Sequence, residues 1–183
     1  MAINNPVPAK KSTLDTVANI AIILVCAIAA VVLVRNQFFP QQPPGPPQVK
    51  KGEQYDQLKT VVPAGTSRAL VVAVAPGCHF CNDSIPFYKN LIDQRNQKNS
   101  EVKFIAAVPA SDKPEEAQKL VSEETQKFTA GGAQPDSMVN MDFAAIKVPG
   151  TPTLMLVDNT GKVLDVWVGK LDSKGEKEVL KTL

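Results

Sequence analysis

Ala75-Pro76-Gly77-Cys78-His79-Phe80-Cys81 ends the apolar run Arg68–Ala75 (RALVVAVA) and opens a stretch of helical periodicity. After Arg68 the run is unbroken and rich in β-branched residues, the pattern of a strand covered on both faces. From about Asn82 to Gln97, Ile85, Tyr88, Leu91 and Ile92 recur on one side of an expected helix. Two cysteines two residues apart can stand as a dithiol or close a small disulfide. Reactive groups in open α/β sheets gather at the carboxyl ends of strands. At the amino end of the next helix, unpaired N–H groups and the helix dipole favour thiolate, and a cysteine pKa near 8.5 falls to about 3.5–7.5. Cys78 is therefore the expected nucleophile, and Cys81, deeper in the first turn, the resolving thiol. His79 and Phe80 face the thiols as tuning residues. A protonated His79 would favour the Cys78 thiolate; the plainer alternative is a solvated residue in a first helical turn.

Other readings of the pair stay open. A four-residue loop removes little unfolded-state entropy, so a purely structural disulfide would be a poor staple. Two thiols and His79, the single histidine of the chain, do not make a closed tetrahedral metal set. Copper(I) on two thiolates stands as an alternative, as does an accessory module of a membrane complex without turnover. No metal ligand set and no cofactor are assigned.

Outward from this stretch, a short helix is expected around Glu53–Val61, a second buried strand over Glu101–Val108, and a helix over Pro114–Thr129. A loop with Gly131-Gly132 leads through Met138–Met141 to a short helix at Asp142–Lys147. Strands Thr153–Val157 and Lys162–Val168 are joined by Asp158-Asn159-Thr160-Gly161, a tight hairpin with Gly161 left-handed. Asp172–Leu183 closes as a helix. Strands alternating with helices, then a hairpin and a helix, give a mixed α/β sheet with helices on both faces.

Thr16–Val34 (TVANIAIILVCAIAAVVLV) runs for 19 residues without a charge. At ~1.5 Å per residue it spans about 28 Å, close to the ~30 Å hydrocarbon core of a bilayer. No polar stripe marks it as a buried core helix. A cleaved export signal is the rival, since Ala27-Ile28-Ala29 has the A-x-A form, but the apolar run continues to Val34. Bulky Val25 argues against a lipid-bearing Cys26, which reads as an apolar packing residue. Lys10 and Lys11 precede the span and only Arg35 follows it closely, so the positive-inside rule keeps residues 1–15 cytoplasmic and exports the rest. Phe39–Val49 (FPQQPPGPPQV) holds five prolines and a glycine. Within a linker of residues 35–50, this run is thus expected to form an extended spacer of roughly 3 Å per residue, lifting a domain of residues 51–183 some 20–30 Å off the bilayer.

Removing Lys10, Lys11 and Arg35 from 20 basic residues, and Asp15 from 18 acidic ones, leaves 17 of each beyond Asn36. That neutral balance gives no basic footprint for nucleic acid. Three cysteines exclude a multi-bridge disulfide framework.

With the strand before Cys78, Pro86 five residues past Cys81, and Val148-Pro149-Gly150-Thr151-Pro152-Thr153 before a strand, the chain resembles the thioredoxin-like superfamily. The likeness is to its membrane-anchored, extracytoplasmic thiol–disulfide oxidoreductases and covers roughly Arg68–Leu183. It implies a thioredoxin-like fold in which Glu101–Thr129 is a central strand-helix insertion. It also implies a cis-proline at Pro152, a form only about 0.5–1 kcal/mol above trans for X-Pro bonds. Thr151 and Pro152 would then meet an extended substrate, though Pro149 and Pro152 also read as turn punctuation. Gly77 stands where the family commonly has Trp, and Trp167 reads as core. Arg68–Ala75 carries no acidic residue where thioredoxins bury a proton-transferring carboxylate. Asp83 is the nearby candidate, with a helix N-terminal charge as its plainer role. The implied partners are protein disulfide or dithiol substrates and a membrane redox partner. The implied location is a single-pass membrane protein with a periplasmic domain.

Overall fold

The computed structural model describes residues 13–38 and 47–183. Most of the expected cytoplasmic tail, and the expected spacer over residues 39–46, lie outside the described residues. The chain divides into two units, Met1–Gly45 and Pro46–Leu183.

In the first unit, helix α1 (Thr13–Phe38) contains the window Val17–Val34, of mean hydropathy 3.0, with no residue of it buried. Eighteen residues at ~1.5 Å each make about 27 Å, enough to cross a hydrocarbon core.

The second unit begins with α2 (Asp56–Val61), β1 (Arg68–Ala73), α3 (His79–Gln97), β2 (Lys103–Pro109) and α4 (Pro114–Ala130). It continues with β3 (Ser137–Met141), β4 (Thr153–Asp158), β5 (Val163–Val168) and α5 (Ser173–Leu180). The sheet order is β3-β2-β1-β4-β5, with β1, β2 and β3 parallel and β4 antiparallel to both β1 and β5. Two successive right-handed crossovers stepping the same way along a sheet put their helices on one face. Accordingly Tyr88 and Leu91 of α3 and Phe128 of α4 pack with Leu70, Val72, Phe104 and Ala106, joined by Val179 of α5. Tyr88 stacks on Phe128 with ring centroids 5.7 Å apart. The opposite face, Val71, Ile105, Met155 and Val157, is covered by Leu58 of α2, by Val49, and by Ile146 on the return from β3 to β4.

Several expected boundaries move. Val49 is 3% exposed and its N–H donates to Lys147 O at 2.8 Å, so the folded unit already includes a residue placed in the spacer. Met138–Met141 belongs to β3, because its backbone pairs in parallel with β2 from Ile105↔Ser137 to Pro109↔Met141. The expected helix at Asp142–Lys147 is a run of turns. Asp142 Oδ1 accepts from the N–H groups of Ala144 and Ala145 at 2.9 and 3.1 Å, and Lys147 takes a φ of +56°. Gln54 forms an isolated bridge with Lys162, so α2 starts at Asp56 instead of Glu53. In the hairpin turn, Gly161 has φ +81° and its N–H donates to Asp158 O at 3.0 Å.

Candidate redox site

The sharp turn into the site follows from Pro76 and Gly77. Cys78 N–H donates to Ala75 O at 3.2 Å, and Gly77 has φ +71°, the arrangement of a type II turn with proline at its second position and glycine at its third. That explains the glycine before the first cysteine, because a side chain there would be held in left-handed backbone. Helix α3 then begins at His79, three residues earlier than its periodicity suggests. Cys78 is the N-cap, and its Sγ accepts the N–H of Cys81 at 3.1 Å. A sulfur thus takes the place of the usual cap oxygen.

Cys78 and Cys81 are joined as a disulfide with Cα atoms 5.3 Å apart. Cys81 is 2% exposed, whereas Cys78 is half-buried at the edge of the first core cluster. The loop before β4 closes over the pair: the Thr151–Pro152 peptide is cis, and Thr151 O lies 3.5 Å from Cys78 Sγ. Pro152 is buried, and its carbonyl accepts the N–H of Gly169 at 2.7 Å. The structure therefore brings Cys78, Cys81, Thr151 and Pro152 together, although 70 residues separate Cys81 from Thr151 in the chain.

His79 and Phe80 point outward: the His79 side chain is 80% exposed and Phe80 is 57% exposed. Both lie in the first turn of α3, with Phe80 O accepting from Ser84 Oγ at 2.8 Å. His79 Nε2 lies 3.6 Å from Asp83 Oδ2, an oxygen that Lys170 Nζ approaches at 2.9 Å. The Lys170 hydrogen bond holds the Asp83 carboxyl below the usual carboxylate range against the opposing pull of partial burial, and the His79 charge adds to the lowering. Asp83 is thus a charge partner at neutral pH, not a carboxyl raised to hold a proton. Half-buried Trp167 packs against the first core cluster.

Among the described residues no group of three or more His, Cys, Asp or Glu side chains is arranged to hold a metal ion. Lys170 and Lys147, both set around the loop, carried no signal in the sequence. Nothing in one dimension shows which lysine will face the chain's middle.

A family model described as a thioredoxin-like domain matches residues 54–183. The chain belongs to this family. The thioredoxin-like domain thus spans the whole of the sheet, its helices and the disulfide. A search of curated proteins finds no match. Among solved structures, a putative thiol:disulfide interchange protein DsbE from Chlorobium tepidum is 18% identical, with a TM-score of 0.48 over 73% of this chain and 95% of that one. StoA from Bacillus subtilis is 15% identical, with a TM-score of 0.48 over 64% and 85% of the two chains. A secreted Mycobacterium tuberculosis disulfide oxidoreductase homologous to E. coli DsbE is 15% identical, with a TM-score of 0.46 over 64% and 83%.

Proposed function

We propose that this chain is a membrane-tethered thiol–disulfide oxidoreductase that exchanges disulfides with exported proteins through Cys78 and Cys81. The observation that carries the reading is the asymmetry of the pair. Cys81 is 2% exposed, while Cys78 is reachable and lies beside the Thr151 carbonyl. Only one sulfur is open to a partner as large as a protein.

When the dithiol reduces a substrate, the Cys78 thiolate attacks one substrate sulfur. A mixed disulfide forms and one substrate thiol leaves. The Cys81 thiolate then attacks Cys78 Sγ, the mixed disulfide breaks, and the second substrate thiol leaves. Two electrons pass to the substrate, and the two protons come from the Cys78 and Cys81 thiols. Oxidation of a substrate dithiol is the same path reversed.

Thr151 and Pro152 form the substrate-facing edge in this reading. The Thr151 N–H has no acceptor among the described residues, so the residue offers an extended peptide a donor beside the disulfide. His79 and Phe80, exposed between the sulfurs, tune Cys78 and meet the substrate. Helix α1 is the tether. Lys10 and Lys11 before it support a cytoplasmic N-terminus and a periplasmic domain, whose dithiol a membrane redox partner resets.

The test is Cys81→Ser in the native membrane, read by non-reducing electrophoresis. The expected result is a set of adducts with exported proteins that disappears in the Cys78→Ser, Cys81→Ser double variant. Absence of adducts, with one copper(I) retained per chain on purification, would overturn the reading in favour of metal carriage. A potential near −270 mV would assign substrate reduction, and one near −120 mV substrate oxidation.

A further inference from the structure

Lys147 immediately precedes the loop Val148–Pro152 that brings Thr151 to the disulfide. It is one of two non-glycine residues with positive φ among those described, at +56°, a conformation L residues rarely adopt. The preceding turns cap that conformation, with Lys147 N–H donating to Ala144 O at 3.1 Å and Val148 N–H to Phe143 O at 2.9 Å, and the segment that begins the folded unit adds contacts from outside. The Lys147 carbonyl accepts the N–H of Val49 at 2.8 Å. Its Nζ lies 3.3 Å from Glu53 Oε1 and 5.8 Å above the centre of the Tyr55 ring. The other oxygen of Glu53 is occupied too, accepting from Tyr55 Oη–H and, at 3.1 Å, from Lys50 N–H.

The far end of the loop is fixed separately. Thr153 Oγ1 donates to Gly150 O at 2.6 Å, and Gly169 N–H donates to Pro152 O at 2.7 Å. Chain neighbours aside, nothing lies within 4 Å of the place where a Cβ on Gly150 would sit. The loop is thus tied at both ends, and Lys147 lies at the first. An ion pair with side chains 41% and 33% exposed contributes little to global stability. Holding an unfavourable backbone conformation at the mouth of a reactive loop is a geometric role, and misplacement by about 1 Å is costly in catalysis.

We propose that Lys147 is a positioning residue for the exchange reaction. Clamped by Glu53, Tyr55 and the Val49 N–H, it fixes the loop so that Thr151 faces Cys78. The inference rests on the exchange reading above and adds the start of the folded unit to the machinery of the site.

The experiment uses the full chain in detergent micelles, with three variants: Lys147→Gln, Glu53→Gln and Lys147→Arg. Reduced protein is reacted with a fluorescent peptide disulfide, which needs the loop, and with iodoacetamide, which needs only the Cys78 thiolate. Lys147→Gln should slow the peptide reaction at least tenfold and leave alkylation within twofold. Glu53→Gln should act in the same direction, and Lys147→Arg should restore most of the rate. Exchange of the Gly169 amide hydrogen, which donates to Pro152 O, should quicken in Lys147→Gln when followed by NMR, whether or not the peptide reacts. An unchanged peptide rate with unchanged Gly169 exchange, or equal losses in both reactions, would overturn the proposal. Failure of the wild-type protein to react with the peptide at all would sink the exchange reading instead, and Gly169 amide exchange would still decide the clamp.

Discussion

Lys170 and Asp83, 87 residues apart, are joined by a 2.9 Å contact between Nζ and Oδ2. The pair ties the second turn of α3 to the chain just after β5. It also fixes the protonation of the acidic side chain closest in sequence to Cys81. The Lys170 hydrogen bond holds Asp83 below the ordinary carboxylate value, so at neutral pH it is a fixed anion beside His79.

Asp83 should therefore leave the shape of the pH–rate profile unchanged. Above about pH 5 an ionised carboxylate neither takes nor gives a proton. Asp83→Asn should keep the same number of inflections in the pH profile of Cys78 alkylation as wild type, because a fixed anion can displace a neighbour's inflection but adds none of its own. A new or missing inflection would restore Asp83 as a proton carrier. For stability, the folded pKa lies below the unfolded one. The pair's contribution is thus complete above the unfolded value of about 4 and is lost as pH falls through the folded value. Lys170→Gln should return the Asp83 carboxyl toward its ordinary value, which NMR titration of the side-chain carbon reads directly.

Tyr55 should ionise late. Burial, reinforced by its hydrogen bond to Glu53, pushes the phenol up to about 12. A folded pKa above the unfolded value of about 10 stabilises the fold below pH 10, and that stabilisation is lost as pH rises through the folded pKa. Ultraviolet titration should show one phenolate appearing near pH 12 that Tyr55→Phe removes. The variant should also flatten the fall in stability between pH 10 and 12.

Two glycines with nearly equal φ should differ in what they tolerate. Gly77, at +71°, has nothing within 4 Å of a built Cβ, so Gly77→Ala should cost only the left-handed strain, about 1–2 kcal/mol. Gly161, at +81°, would drive a Cβ onto the Tyr55 carbonyl and to 2.7 Å from the Lys59 nitrogen. Backbone cannot swing aside as a side chain can, so Gly161→Ala should cost about 3 kcal/mol or more. Denaturant titration of the two variants compares them.

Phe128→Ala tests whether α4 is part of the core or an appendage. Phe128 is 1% exposed and stacks on Tyr88 of α3. Its truncation should cost about 3–5 kcal/mol in a single cooperative transition. A loss under 1 kcal/mol would make α4 an independent ornament.

Much of this architecture is legible in the residues. RALVVAVA has the unbroken, β-branched-rich run of a strand buried on both faces, and the spacing of Tyr88, Leu91 and Ile92 marks the face of α3 that meets the core. The pair Cys78 and Cys81 is legible for the same reason, because it sits where a strand gives way to a helix. β3 is not legible. SMVNM is a short edge strand, mostly only partly buried, so it has neither the continuous apolar run of a central strand nor a clean alternation. The true start of α3 is hidden because its cap is a sulfur. The turns after Asp142 look helical because Ala144 and Ala145 favour helix, yet the Asp142 side chain and left-handed Lys147 divert the backbone. The Lys170–Asp83 and Lys147–Glu53 contacts join distant segments, and no local pattern announces them.

The return of the chain from β3 to β4 has a consequence for how this protein fails. One face of the sheet lies under α3, α4 and α5, while the other is roofed by six-residue α2, Val49 and the turns around Ile146. The loop carrying Thr151 continues directly from that thinner roof. Local opening starts where few buried contacts hold the chain. Heat should therefore blunt the chemistry at Cys78 while the three-helix side still reads as folded. The working ceiling of this molecule should be set by a few turns of irregular backbone, several degrees below the melting of its sheet.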